Sequence, residues 1–163
     1  MATRHTTRII GIDPGTGLLG FGVVDALGTK VRLVDAGVVR TRPHQPLDER
    51  LVEIYEALQQ IISETKPTIM VIEKLFFAQN VTTAMSVSHA RGVAMLAGKQ
   101  AHCEIVEYTP LQIKQQLTGY GKATKKQMQE MVRVHLNLAE VPKPDDCADA
   151  LAAAVIHAAQ MRG

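Results

Sequence analysis

The chain has 163 residues, of which 46% are hydrophobic and 21% charged, and Lys plus Arg exceed Asp plus Glu only to a formal net charge of +2. This length fits a single domain, residues 1–163, with a core of its own. The small charge excess does not by itself mark a nucleic-acid binder. Residues 1–7 are polar, lack the apolar stretch of a signal peptide, and are expected to be flexible. No apolar run is long enough to span a membrane. Two cysteines, Cys103 and Cys147, lack metal-ligand spacing, which fits a reduced, cytoplasmic setting without a disulfide framework.

Arg8-Ile9-Ile10-Gly11-Ile12-Asp13 opens the chain's structure. Its continuous apolar run reads as a strand covered on both faces. Pro14-Gly15-Thr16-Gly17 is a turn, and Gly20-Phe21-Gly22-Val23-Val24-Asp25 reads as the second strand. A turn near Gly28-Thr29 leads to a third strand from Lys30 to Arg40, giving an antiparallel meander. Leu47, Leu51, Ile54, Leu58, Ile61 and Ile62 recur at helical spacing, so residues 47–65 form a helix that ends before Pro67.

Thr68-Ile69-Met70-Val71-Ile72-Glu73 repeats the design of the first strand. Residues 82–100 read as a helix, 104–108 as a short strand, and Pro110 opens a helix through 117. Gly119-Tyr120-Gly121 breaks it, Thr124 caps the next helix over 125–136, and Asp145 is expected to cap a last helix over 145–161. This order predicts an α/β fold. Its mixed five-stranded sheet begins with three antiparallel strands, continues through parallel crossovers, and carries helices on both faces.

The chemistry is suggested by acids that end apolar runs. Asp13 and Glu73 terminate strands that would lie side by side, and Asp146 and Asp149 share one face of the last helix. Taken singly, each has a plainer reading. Asp13 is also a turn aspartate, Glu73 a solvated strand end, and Asp145 and Asp146 helix N-terminal acids favoured by the dipole. Together, carboxylates crowded in one place raise each other's pKa unless cations intervene. An all-oxygen set without Cys or His favours Mg²⁺ or Mn²⁺ over zinc. Two such ions about 4 Å apart suit phosphodiester hydrolysis.

Gly15-Thr16-Gly17-Leu18-Leu19-Gly20 matches GxGxxG, but a valine-rich strand follows where a dinucleotide site needs a helix. The glycines are expected instead to serve a hairpin turn with positive φ.

Four segments carry a resemblance: Gly11-Ile12-Asp13-Pro14-Gly15, Ile72-Glu73-Lys74-Leu75-Phe76, Ala90-Arg91-Gly92-Val93-Ala94 and Asp146-Cys147-Ala148-Asp149-Ala150-Leu151-Ala152. In order and spacing they resemble the RuvC family of Holliday-junction resolvases (crossover junction endodeoxyribonucleases), over nearly the whole chain. The resemblance implies an RNase H-like fold and a homodimer that nicks opposing strands of a four-way DNA junction in recombination and repair. It also implies Mg²⁺ or Mn²⁺, two per site, on Asp13, Glu73, Asp146 and Asp149, and cooperation with a RuvA–RuvB branch-migration complex. The family's D-x-x-D pattern selects Asp146 and leaves Asp145 as the cap.

By the same resemblance, Lys114 and Lys125 lie near the scissile phosphate, with Lys125 also catalytic through charge or proton transfer. Arg91 lies in a helix on the DNA side, and Phe76 approaches unpaired bases. Lys122 joins them in a basic cluster beside the glycine-broken loop, as a phosphate-tracking surface needs. The plainer reading of each basic residue is a solvated helix face. The helix over 82–100 is apolar on most sides, so one side can pack on the sheet and another on a partner subunit. A wholly internal helix is the alternative.

Two other function classes meet the same residues less well. An actin-like ATPase or sugar kinase would share the Asp13-Pro14-Gly15-Thr16 loop but needs two such domains. A non-catalytic DNA-binding module has no use for four acids, which repel DNA unless metals intervene.

Overall fold

The computed structural model describes residues 5–75 and 81–162. In chain order the elements are β1 (Thr7–Asp13), β2 (Leu18–Leu27), β3 (Lys30–Arg40), α1 (Leu47–Thr65), β4 (Ile69–Glu73), α2 (Val81–Gln100), β5 (Glu104–Tyr108), α3 (Pro110–Thr118), α4 (Lys125–His135) and α5 (Asp145–Gln160). The strands form one five-stranded sheet in the order β3-β2-β1-β4-β5. The first three strands pair antiparallel, while β1–β4 and β4–β5 are parallel. This is the mixed α/β sheet expected from the sequence. Thr7 already pairs with Ala26, so the stretch over 1–7, expected to be flexible, gives way to the sheet at Thr7. Residues 1–4 lie outside the described residues.

Strand alternation divides the core in two. Ile10, Ile12, Leu19, Phe21, Val23, Met70 and Ile72 face α1 and α2. Ile9, Val24, Ala26, Ile69 and Val71 face α5, with α3 and α4 beyond it. Among the described residues, no helix is long and apolar enough to cross a membrane.

The alanine content of α5 has a packing cause. A Cβ at Gly11 would come within 1.9 Å of the Ala150 carbonyl oxygen, and one at Gly22 within 2.5 Å of Leu151. The helix therefore lies directly on the backbone of β1 and β2, closer than ordinary side chains allow. Its Ala150, Leu151, Ala153, Ala154, Val155 and Ile156 are buried.

Short polar motifs set the helix ends. Thr109 and Gln112 form a capping box at the start of α3, Pro110 is its first residue, and Gly119 closes it with φ 77°. Thr124 and Gln127 form the equivalent box on α4. Asp145 does not cap α5: the cap position is Pro144, which offers no side-chain acceptor, and Asp145 is already helical. Its carboxylate instead accepts a hydrogen bond from Gln129 Nε2 at 2.9 Å. The positive-φ reading of the loop glycines is also corrected. Among the described glycines, positive φ occurs at Gly28 and Gly119, whereas Gly15 is required because a Cβ there would come within 2.3 Å of the Leu18 carbonyl oxygen.

Candidate active site

The period of a strand decides where the acids point. Asp13 follows Ile9 and Gly11 on the face of β1 that meets α5, and Glu73 follows Ile69 and Val71 on the same face of β4. The parallel register sets Ile12 beside Ile72, so the two acids end neighbouring strands. Asp13 lies opposite Gly20 in the β1–β2 ladder. Against that glycine rests the first turn of α5, since a Cβ at Gly20 would come within 2.1 Å of the Asp146 carbonyl oxygen. The missing side chain thus brings Asp146 to Asp13.

The electrostatics follow from this convergence. Burial pushes the Asp13 carboxyl up to about 8, and the charges of Asp149, Asp146 and Glu73 together with a hydrogen bond to Asp146 push the same way. Burial also raises Glu73, with Asp149 adding to it and Lys114 opposing. Asp149 is raised by burial, against the pull of Lys125. The Lys125 ammonium lies 3.5 Å from Asp145 and 3.6 Å from Asp149, and Asp149 most of all holds it protonated. A cleft of about 300 Å³ is lined by Glu73, Asp149, Lys114 and Lys125, with Pro110, Ile113 and Met128 as its apolar walls. A larger hollow of about 600 Å³, lined by Asp25, His135 and Arg162 among others, includes none of the four acids.

Among the described residues, no three His, Cys, Asp or Glu side chains stand arranged to hold a metal ion as they are. The acids form a charged cluster, with Lys125 beside it, and not a closed coordination shell. Their donor chemistry nevertheless suits a hard divalent cation: the cluster is all carboxylate oxygen, and its neighbouring charges add to the burial that raises Asp13.

Lys122 is exposed in the loop before α4. Phe76, expected to approach unpaired bases, lies outside the described residues, which stop at 75 and resume at 81. Arg91, expected on the DNA side, turns inward. Its Nε donates to the Glu73 carbonyl at 3.2 Å, Nη2 pairs with Glu107, and Nη1 lies 3.6 Å from Met95 Sδ. With these partners the guanidinium is committed within the chain.

Some contributors have no signature in the sequence. Thr16 Oγ1 meets Ser86 Oγ of α2 at 2.5 Å, and Thr41 Oγ1 donates to the Thr16 carbonyl at 2.6 Å. These bonds fix the loop after Asp13, but they join residues 70 and 25 positions apart. Gly20 did have a signal, as the last glycine of the GxGxxG match, but it pointed to a turn.

Comparison with known proteins agrees with this geometry. The family model for "Crossover junction endodeoxyribonuclease RuvC" matches residues 9–157. Proteins of that name from Desulforamulus reducens and Alkaliphilus metalliredigens are 51% and 54% identical over 150 residues, covering 92% of this chain and 92% of each relative. Among solved structures, Thermus thermophilus RuvC in complex with Holliday junction substrate superposes with a TM-score of 0.89 at 37% identity, covering 96% of this chain and 95% of that one. The yeast mitochondrial Holliday junction resolvase shares the fold at 14% identity, with a TM-score of 0.65 over 99% of this chain and 85% of that one. With an RNase H-like sheet, acids ending two of its adjacent parallel strands and a match over nearly its whole length, the chain belongs to the RuvC family of crossover junction endodeoxyribonucleases.

Proposed function

We propose that Asp13, Glu73, Asp146 and Asp149 are the catalytic carboxylates with which this chain nicks a four-way DNA junction symmetrically. As a member of the RuvC family the chain is a crossover junction endodeoxyribonuclease, a hydrolase of DNA phosphodiester bonds. The observation that carries the assignment is the convergence on Asp13: three other acids, from β4 and from two positions on α5, act on one half-buried carboxyl.

These four side chains would hold Mg²⁺ or Mn²⁺, two per site. When bound, the cations supply the Lewis acidity that activates water and stabilises the leaving oxygen in phosphodiester hydrolysis. The chain's own groups do the rest. The backbone contact at Gly20 fixes Asp146 relative to Asp13. Lys125 balances Asp149 and Asp145 and places positive charge at the mouth of the cleft. Lys114, across the same cleft beside Glu73, offers a second cation to a phosphate. Lys122, exposed in the loop before α4, is read as a further phosphate contact.

Two symmetric nicks call for two identical sites, so the working form in this reading is a homodimer with two-fold symmetry. The exposed apolar residues of α2, Val81, Met85 and Leu96, supply its contact face. Cytoplasmic placement and cooperation with a RuvA–RuvB complex complete the reading. Both cysteines are free and buried, as a reducing compartment permits.

The test compares Asp13→Asn with wild type on a synthetic mobile four-way junction. Nicking with Mg²⁺ or Mn²⁺ is expected to fall to background while gel-shift affinity for the junction is largely kept. Unchanged nicking would remove Asp13 from the site.

A further inference from the structure

We propose that Arg91 is a positioning residue that locks the Glu73 end of β4, acting from the face of the sheet opposite the acid cluster. The inference rests on the assignment of Glu73 to the site. Glu73 is the last residue of β4, and the ladder to β5 ends with it, opposite Tyr108. A carboxylate on a strand terminus has a definite direction only if the peptide after it is held.

Both polar groups of that peptide are held. The Glu73 carbonyl accepts from Arg91 Nε at 3.2 Å, and the Lys74 amide donates to the Tyr108 carbonyl at 2.7 Å. Tyr108 is itself buried, and its hydroxyl meets His157 Nδ1 at 2.7 Å and Gln160 Oε1 at 2.8 Å, both on α5. The peptide plane is therefore fixed between α2 on one face and α5 on the other.

Arg91 is equipped for this task. Its side chain is only 17% exposed, and Glu107 of β5 holds the guanidinium through Nη2 while Nε stays on the carbonyl. Glu107 faces α2 because alternation puts its neighbours Val106 and Tyr108 toward α5. The planar fork of arginine spans the two acceptors at once, whereas a lysine ammonium is one point charge on a flexible stem. Met95, one turn along α2, closes the third side. The same helix also holds the loop after Asp13 through Ser86, so α2 braces both strand ends that carry acids.

The test uses the full-length protein with Arg91→Met, Arg91→Lys, Glu107→Gln and, as reference, Glu73→Gln. Single-turnover nicking of a four-way junction is measured with saturating protein and Mg²⁺, and junction affinity is measured by gel shift without metal. Arg91→Met is expected to nick roughly 10–100-fold more slowly, as loss of groups that orient ligands typically does, with junction affinity kept. Arg91→Lys is expected to stay slow, and Glu107→Gln to fall between. With folded protein still in excess over the junction, a partial loss of folded protein leaves the single-turnover rate constant unchanged, so the rate constant is the readout. If Arg91→Met does not fold, the same rate and affinity measurements on Glu107→Gln decide.

A wild-type rate constant in Arg91→Met, or in Glu107→Gln where that variant decides, overturns the proposal. So does an affinity loss equal to the rate loss, which would make Arg91 a DNA contact. Glu73→Gln separates the two levels. If it nicks normally, Glu73 leaves the site and the proposal falls with it; if it is inactive while Arg91→Met is normal, only the role of Arg91 falls.

Discussion

Gly20 and Asp146 touch backbone to backbone: a Cβ built on Gly20 would come within 2.1 Å of the Asp146 carbonyl oxygen and 2.5 Å of its carbonyl carbon. Because Gly20 is also the ladder partner of Asp13, this one contact sets the spacing of two acids. In Gly20→Ala the helix backbone must retreat, since no flexible side chain can yield. Overpacking of this kind typically costs about 1–3 kcal/mol. The expected result is a lower melting temperature together with slower nicking by the folded fraction. Gly22→Ala is the control, because its Cβ would meet the side chain of Leu151 further along α5. It is expected to lose stability with less loss of nicking rate. Nicking by Gly20→Ala at the wild-type rate would contradict the assignment.

The acid cluster makes the metal-free protein less stable as pH rises. The folded chain keeps Asp13 protonated up to about 8, against an ordinary 3.8. Between those values it binds a proton that the unfolded chain releases, so unfolding becomes easier with increasing pH through that window. Glu73 and Asp149, also raised by burial, act in the same direction. Asp13→Asn removes the largest contributor without a large change of shape. With a chelator present, this variant is expected to melt above wild type at pH 8 and level with it near pH 4. Added Mg²⁺ should narrow the gap, because cation binding favours ionised carboxylates. Thermal melts across this range check the claim, and equal melting temperatures at pH 8 would defeat it.

In the proposed site Lys125 is expected to serve as a fixed charge and not as a proton carrier. Its ammonium lies between Asp145 and Asp149, and those carboxylates raise its pKa. A lysine held more firmly protonated is a poor base, but it remains a good partner for a phosphate. Lys125→Met is therefore expected to slow nicking by more than it weakens junction binding, and Lys125→Arg to recover much of the rate. A proton-transfer role is typically worth about 10²–10⁴-fold, and arginine, which does not deprotonate, would not restore it. An arginine variant as slow as the methionine variant would return Lys125 to the proton-transfer role.

The strand-end acids were legible in the sequence because period-two alternation converts residue number into direction. Once Ile9 and Ile69 face α5, Asp13 and Glu73 must also. The element order and all five strand positions were readable for the same reason, together with turn chemistry at Gly28, the helix opening at Pro110 and capping at Thr124. Arg91 was not legible. On a helix apolar nearly all round, spacing does not say which side meets the sheet, and the partners of Arg91 lie on β4 and β5. Asp145 misled because an acid near a helix start is as common in the first turn as at the cap, and Pro144 had already taken the cap. Gly20 misled because a glycine required for close approach looks the same in sequence as one required for a turn.

The outer side of α2 carries the last expectation. Val81, Met85 and Leu96 are 66%, 55% and 52% exposed, and Ser88 and Gly92, also exposed, lie between them at helical spacing. An apolar stripe with small residues at its centre suits close packing against a second copy of the same helix, because a two-fold contact is self-complementary. A Cβ at Gly92 would meet nothing within 4 Å among the described residues, so a side chain there starts in open space, and Gly92→Leu improves helix propensity. It should nevertheless obstruct a partner seated on that face. Sedimentation is expected to show a dimer for wild type and a monomer for Gly92→Leu and Leu96→Glu, with melting temperatures close to wild type. On a plasmid cruciform, the variants should release singly nicked circles where wild type cuts both opposing strands within one encounter. Dimers that persist in both variants would place the subunit contact elsewhere and leave the α2 stripe without that role.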